Sequence, residues 1–111
     1  MYEKCYEFHH SEDYLVEKII QDEDVHVNHM IFKQHEGLPT HKSNSSVYMI
    51  VIRGILSLKL EEQDFHEYSS GCIVNIPFGL RMDVNNLHEE TLELFVLKAP
   101  SPEKWKENHQ E

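Results

Sequence analysis

The stretch Gly71, Cys72, Ile73, Val74, Asn75, Ile76, Pro77, Phe78, Gly79, Leu80, Arg81, Met82, Asp83, Val84, Asn85, Asn86 decides how the chain is read. Its punctuation carries the information. Glycine tolerates backbone conformations closed to other residues, and proline fixes φ and removes a hydrogen-bond donor. Gly71, Pro77 and Gly79 therefore serve turns and bends, and Gly54 upstream serves another.

Outward from that stretch the chain reads as short strands joined by turns, with a helix only at the end. Val47 to Ile52 is a continuous apolar run rich in β-branched side chains, too short for a typical helix and stopped by Gly54. It is expected to be a strand buried on both faces. Leu56, Leu58 and Leu60 alternate with Ser57 and Lys59, the period-two pattern of a half-buried strand. The polar cluster Glu61 to Asp64 then turns the chain into Phe65 to Tyr68 as a hairpin. Thr91 to Lys98 puts Leu92, Leu94 and Val96 on one face and Phe95 and Leu97 on the other. Val25 to Gln34 puts Met30, Phe32 and Gln34 on one face and His29, Ile31 and Lys33 on the other. Tyr14 to Gln21 fits strand and helix equally. Ser101, Pro102 and Glu103 form a helix start: a capping hydroxyl, a proline at the first helical position and an acid near the positive end of the dipole. Trp105 is expected to dock that helix. Strands without intervening helices imply an all-β sandwich or barrel, without linker or internal repeat. The expectation is one domain over residues 1–111, with residues 1–24 an N-terminal segment and residues 101–111 a C-terminal helix and tail.

Composition narrows the partners. Twenty acidic residues against ten basic ones give a formal charge of −10 over 111 residues. Nucleic-acid binding needs a cationic patch to displace counterions, so neither nucleic acid nor an anionic membrane is an expected partner. No apolar stretch approaches the roughly 18 residues of a spanning helix, and Met1 to Asp13 is polar. The expected location is cytoplasmic. Cys5 and Cys72 lie far apart and outside any C-x-x-C unit, which excludes a disulfide framework or a zinc ribbon.

The opening stretch resembles the second signature of the cupin family, G-x5-P-x-G-x2-H-x3-N. Gly71, Pro77, Gly79 and Asn86 fall on the pattern over residues 71–86, and Met82 stands at the metal histidine. The first signature, G-x5-H-x-H-x3,4-E-x6-G, can be laid on residues 37–54. There Leu38, Pro39, Thr40 and His41 resemble the approach to the first metal histidine, and Gly54 closes the motif. The loop from Gly37 to His41 is two residues shorter than the pattern, Ser43 stands at the second histidine and Val47 at the glutamate. The resemblance implies a double-stranded β-helix, or jelly roll, with a short C-terminal helix, and a homodimer paired through its sheets. It also implies that His41, Ser43, Val47 and Met82 converge. One imidazole, one hydroxyl, one alkyl group and one thioether do not make a tight site for iron, manganese or zinc, which needs three or four nitrogen or oxygen donors. Thus no metal and no other cofactor is expected, and His41 is the one retained ligand position.

The resemblance further implies a pocket of His41, Ser43, Val47, Met49, Met82, Met30 and Phe32 inside the barrel. Two functions fit such a pocket. The leading one is binding of a small, partly apolar molecule without catalysis or metal; the alternative is a metal-independent isomerase or epimerase with His41 as general base. The other histidines, His29 among them, read as exposed polar residues.

Overall fold

Side chains that alternate along an extended chain must put every second residue on one face, and that rule assembles this molecule. The structure is a computed structural model that describes residues 1–110. Nine strands precede one helix: β1 (Leu15–Gln21), β2 (His26–Phe32), β3 (His41–Lys42), β4 (Val47–Arg53), β5 (Ile55–Leu60), β6 (His66–Ser69), β7 (Ile73–Ile76), β8 (Arg81–Asn85), β9 (Leu92–Lys98) and α1 (Pro102–Asn108). They form a five-stranded sheet in the order β1-β2-β9-β4-β7 and a four-stranded sheet in the order β3-β8-β5-β6. Every strand pairing is antiparallel. The expected all-β jelly roll with a short C-terminal helix is the fold observed.

The core lies between the two sheets. Met30 and Phe32 of β2, Val47, Met49 and Val51 of β4, and Leu92, Leu94 and Val96 of β9 line it from the larger sheet. Leu56 and Leu58 of β5 and Met82 and Val84 of β8 face them from the smaller one. Asn86 ends the second motif for a structural reason. Its side-chain amide donates to the carbonyls of Phe32 at 3.0 Å and Glu90 at 2.8 Å, and its Oδ1 accepts from the His88 amide at 2.9 Å. One buried side chain thereby ties the end of β8 to the end of β2 and to the turn before β9. Ser101 caps α1 as its sequence implies, its hydroxyl accepting from the Lys104 amide at 3.1 Å, with Pro102 in the first turn. Glu111, the last residue of the expected tail, lies outside the described residues.

One open reading is resolved and two expectations are corrected. Tyr14 to Gln21, open between strand and helix, is strand β1 from Leu15 onward, because it completes the edge of β2 with Leu15 opposite Ile31 and Glu17 opposite His29. The N-terminal segment thus contributes a strand to the larger sheet. β4 is not buried on both faces. Val47, Met49 and Val51 enter the core, but Tyr48 and Ile52 remain exposed because nothing in the described chain covers the outer face there. Ser57, placed on the open face of β5, is buried, and its hydroxyl donates to Glu67 at 3.2 Å.

Candidate functional site

The barrel positions separate into three environments. Met30, Phe32, Val47, Met49 and Met82 do come together, as one buried apolar cluster in which each is at most 4 % exposed. They fill the space between the sheets. Ser43 is buried but fully engaged: its hydroxyl donates to the Pro77 carbonyl at 2.6 Å and accepts from the Leu80 amide at 3.0 Å. Its backbone pairs with the same loop, through Gly79 and Leu80. Ser43 therefore pins the β7–β8 turn. His41 is exposed, which corrects the expectation of an imidazole enclosed with the methionines. It lies on β3, the two-residue edge strand opposite Met82, and its Nδ1 donates to the Pro39 carbonyl at 2.8 Å. The shortened loop after Gly37 leaves the imidazole folded back on its own backbone. The four positions corresponding to cupin metal ligands accordingly present an exposed ring, a hydroxyl spent on the backbone, and two packed apolar groups. That donor set does not fit a resident transition metal. Among the described residues no group of three or more His, Cys, Asp or Glu is placed to hold one.

A different concavity is open. The β7–β8 turn carries Phe78 out to α1, where its ring stacks on Trp105 at 4.9 Å and 18°. Trp105 in turn stacks on His109 at 3.9 Å and 14°, the neighbour one helical turn on. The His109 ring is fixed by its Nδ1, which donates to the Trp105 carbonyl at 2.8 Å. These rings line a cleft of about 660 Å³ together with Asn44, Pro102, Glu103 and Lys106. The volume is within the range of small-molecule sites, and an apolar wall with a few polar groups is their usual lining. The expectation that Trp105 docks the helix holds, and Phe78 is what it docks against.

His29, assigned from sequence to the exposed polar residues, is buried at 0 % side-chain exposure on the outer face of the larger sheet. Its Nδ1 meets Glu17 Oε2 at 2.7 Å and its Nε2 meets Glu93 Oε2 at 2.6 Å. Both ring nitrogens are thus engaged by carboxyl groups, which hold the ring in one orientation. The second oxygen of Glu93 takes the Arg53 Nε at 3.0 Å, and Arg53 continues to Glu12 at 2.8 Å and to the Ser11 carbonyl at 2.8 Å. Phe8 closes the site against the His29 and Phe95 rings, each 4.9 Å away. Burial by itself would raise the Glu17 carboxyl, but the amide and imidazole of His9 and the ring of His29 outweigh it and hold it at about 2. His9 is raised above 6.5 by its hydrogen bond to Glu17 and by that charge.

These opposite shifts give a pH window. Glu17 contributes its full stabilisation above about pH 4.5 and loses it as the pH falls toward 2; His9 contributes fully below 6.5 and loses it as the pH rises through its elevated folded value. Urea unfolding of wild type and His9→Ala is therefore expected to differ most between about pH 4.5 and 6.5, with the gap narrowing on both sides. A gap independent of pH would show that the pair contributes no charge-dependent stability.

The network and the cleft escaped the sequence for the same reason: their members are far apart in the chain. The available signals were a glutamate, a histidine and a glutamate at outward positions of three strands, and the four-residue spacing of Trp105 and His109.

No family model matches the chain. An uncharacterized protein of Methanocaldococcus jannaschii is 43 % identical over 105 residues, which are 94 % of this chain and 90 % of that protein. Its crystal structure, described as that of an RmlC-like cupin family protein with a double-stranded β-helix fold, superposes with a TM-score of 0.92 at 42 % identity, covering 96 % of this chain and 98 % of the other. An RmlC-like cupin of Desulfovibrio desulfuricans shares the fold at a TM-score of 0.75 and 17 % identity, over 90 % of this chain and 99 % of its own. A cupin superfamily protein of Desulfitobacterium hafniense does so at 0.70 and 9 %, over 83 % and 82 %.

Proposed function

This chain belongs to the RmlC-like cupin family, and from that premise we propose that it is a cytoplasmic binding protein for a small, partly apolar molecule, working without a resident metal and receiving its ligand beside Trp105. The observation that carries this reading is the aromatic cleft. Phe78, Trp105 and His109 are already stacked on one another, so their apolar edges and faces are fixed before a ligand arrives and little ordering cost remains at binding. Among the lining residues, Glu103 and Lys106 supply one charge of each sign for orienting a polar substituent. The barrel interior offers no comparable opening, since its methionines and Phe32 are packed together. An isomerase with His41 as general base draws no support from an exposed ring held by its own backbone. The reading includes a homodimer formed through the outer face of the five-stranded sheet, and no nucleic-acid or membrane partner.

Trp105 is the only tryptophan in the chain, so its emission reports on the cleft alone. A library of small aromatic and sugar-like fragments titrated against the protein is expected to yield binders that change that emission. Phe78→Ala should weaken them tenfold or more, the loss of about 1.4 kcal/mol that one aromatic contact of this size can supply. Fragments that raise the thermal midpoint while leaving Trp105 emission and the Phe78→Ala affinity unchanged would place binding elsewhere and overturn the reading.

A further inference from the structure

Two side chains of the aromatic cleft carry opposite charges and do not meet. Glu103 and Lys106 both line it and stand one turn apart on α1, a spacing at which an acid and a base ordinarily pair on a helix. Lys104 and Glu107, at the same spacing on the same helix, do approach, to 3.9 Å. Among the described residues Lys106 has no carboxylate within pairing distance, and Glu103 has only the His26 Nε2, at 3.5 Å, with 78 % of its side chain open to solvent. The cleft thus presents one anion and one cation that the helix leaves unmatched. Asn44 and Gln110 add neutral side-chain amides to the same lining. The His109 Nδ1 is spent on the Trp105 carbonyl, so Nε2 of the neutral ring is an acceptor.

We propose that the ligand of this cleft is a free α-amino acid with an aromatic side chain, its ring against Phe78, Trp105 and His109, its ammonium toward Glu103 and its carboxylate toward Lys106. This rests on the cleft being the binding site, as proposed above, and adds the chemical class it selects. Three features narrow that class. An ammonium and a carboxylate borne on one carbon match two charges whose Cβ atoms lie about 5–6 Å apart, as positions one turn apart on a helix do. The interior of a peptide has neither charge, and a sugar phosphate has only the negative one. A zwitterion carries no net charge, so a chain of charge −10 does not repel it as it repels an anion. The wall is aromatic, and a planar ring gains from offset or edge contact with other rings beyond the area it buries.

Titrations of the full-length chain with L-phenylalanine, phenethylamine, 3-phenylpropionate and 2-phenylethanol, followed by Trp105 emission, test the assignment. The four share a phenyl ring and differ in charge. L-Phenylalanine is expected to bind about threefold more tightly than either singly charged analogue and about tenfold more tightly than the alcohol, as two exposed charge contacts allow. Lys106→Met should erase the preference over phenethylamine, and Glu103→Gln the preference over 3-phenylpropionate, with circular dichroism confirming that both variants are folded. High salt should erase both preferences in the wild type, a readout that needs no variant. Equal affinity for the four compounds would overturn the inference and leave the cleft as the binding site, and so would a preference that survives both substitutions. If none of the four changes Trp105 emission while other small fragments do, the inference falls and the cleft stands; if no compound changes it, both fall.

Discussion

Replacing Glu93 with alanine is expected to lower the free energy of unfolding by about 3–5 kcal/mol, the cost of breaking a buried ion pair from one side. Glu93 is shared: one oxygen takes the His29 Nε2 at 2.6 Å and the other the Arg53 Nε at 3.0 Å. Its loss leaves the Arg53 guanidinium and the buried His29 ring without the carboxylate between them, and removes the partner of two side-chain hydrogen bonds at once. Glu93→Gln keeps one acceptor oxygen and the shape, so it should cost less. Urea unfolding of the three proteins at pH 6 measures this. A loss below about 1 kcal/mol for Glu93→Ala would mean that the network contributes little beyond packing, as exposed ion pairs do.

Gly54→Ala is expected to cost about 3 kcal/mol or more, whereas Gly79→Ala should cost only about 1–2 kcal/mol, although both glycines have positive φ, at +79° and +86°. The difference lies in what a methyl group would meet. At Gly79 nothing lies within 4 Å, so only the left-handed backbone is penalised. At Gly54 a Cβ would sit 2.4 Å from the Thr91 carbonyl oxygen and 2.8 Å from the Leu92 Cα, both main-chain atoms that cannot rotate away. Relief would have to come from displacing the start of β9, the strand that carries Glu93 to His29 and Leu94 into the core. Paired thermal or urea unfolding distinguishes the two; equal losses would show that β9 gives way easily.

The core was legible because its signal is local. Leu92, Leu94 and Val96, or Met30 and Phe32, declare their shared face through a period of two, and the opposed sheet is then the place where they can be buried. The motif glycines and Asn86 were legible for a similar reason, since turns and the end of a strand impose their demands within a few residues. The functional geometry was not local. His29 draws its partners from positions 12 and 64 residues away, so nothing beside it in the sequence marks it as buried. Phe78 and Trp105 meet only because the β7–β8 turn reaches α1 across the end of the sheets. His41 was misplaced because a two-residue shortening of the loop, visible in the sequence, does not reveal where the ring goes; the bond to Pro39 does. Ser43 stood at a ligand position of the motif while its hydroxyl was committed to holding Pro77 and Leu80.

The claim at the centre is that the barrel is a packed core and the aromatic cleft is the receiving site, and the methionine methyl groups are placed to decide it. Met30, Met49 and Met82 report from the core, and the Trp105 indole reports from the cleft. In nuclear magnetic resonance spectra of protein carrying labelled methionine methyls and a labelled indole, a bound fragment is expected to move the Trp105 indole resonance while the Met30, Met49 and Met82 methyl resonances stay where they were. Shifts of those three methyl signals with an unmoved indole would contradict it and return the ligand to the barrel.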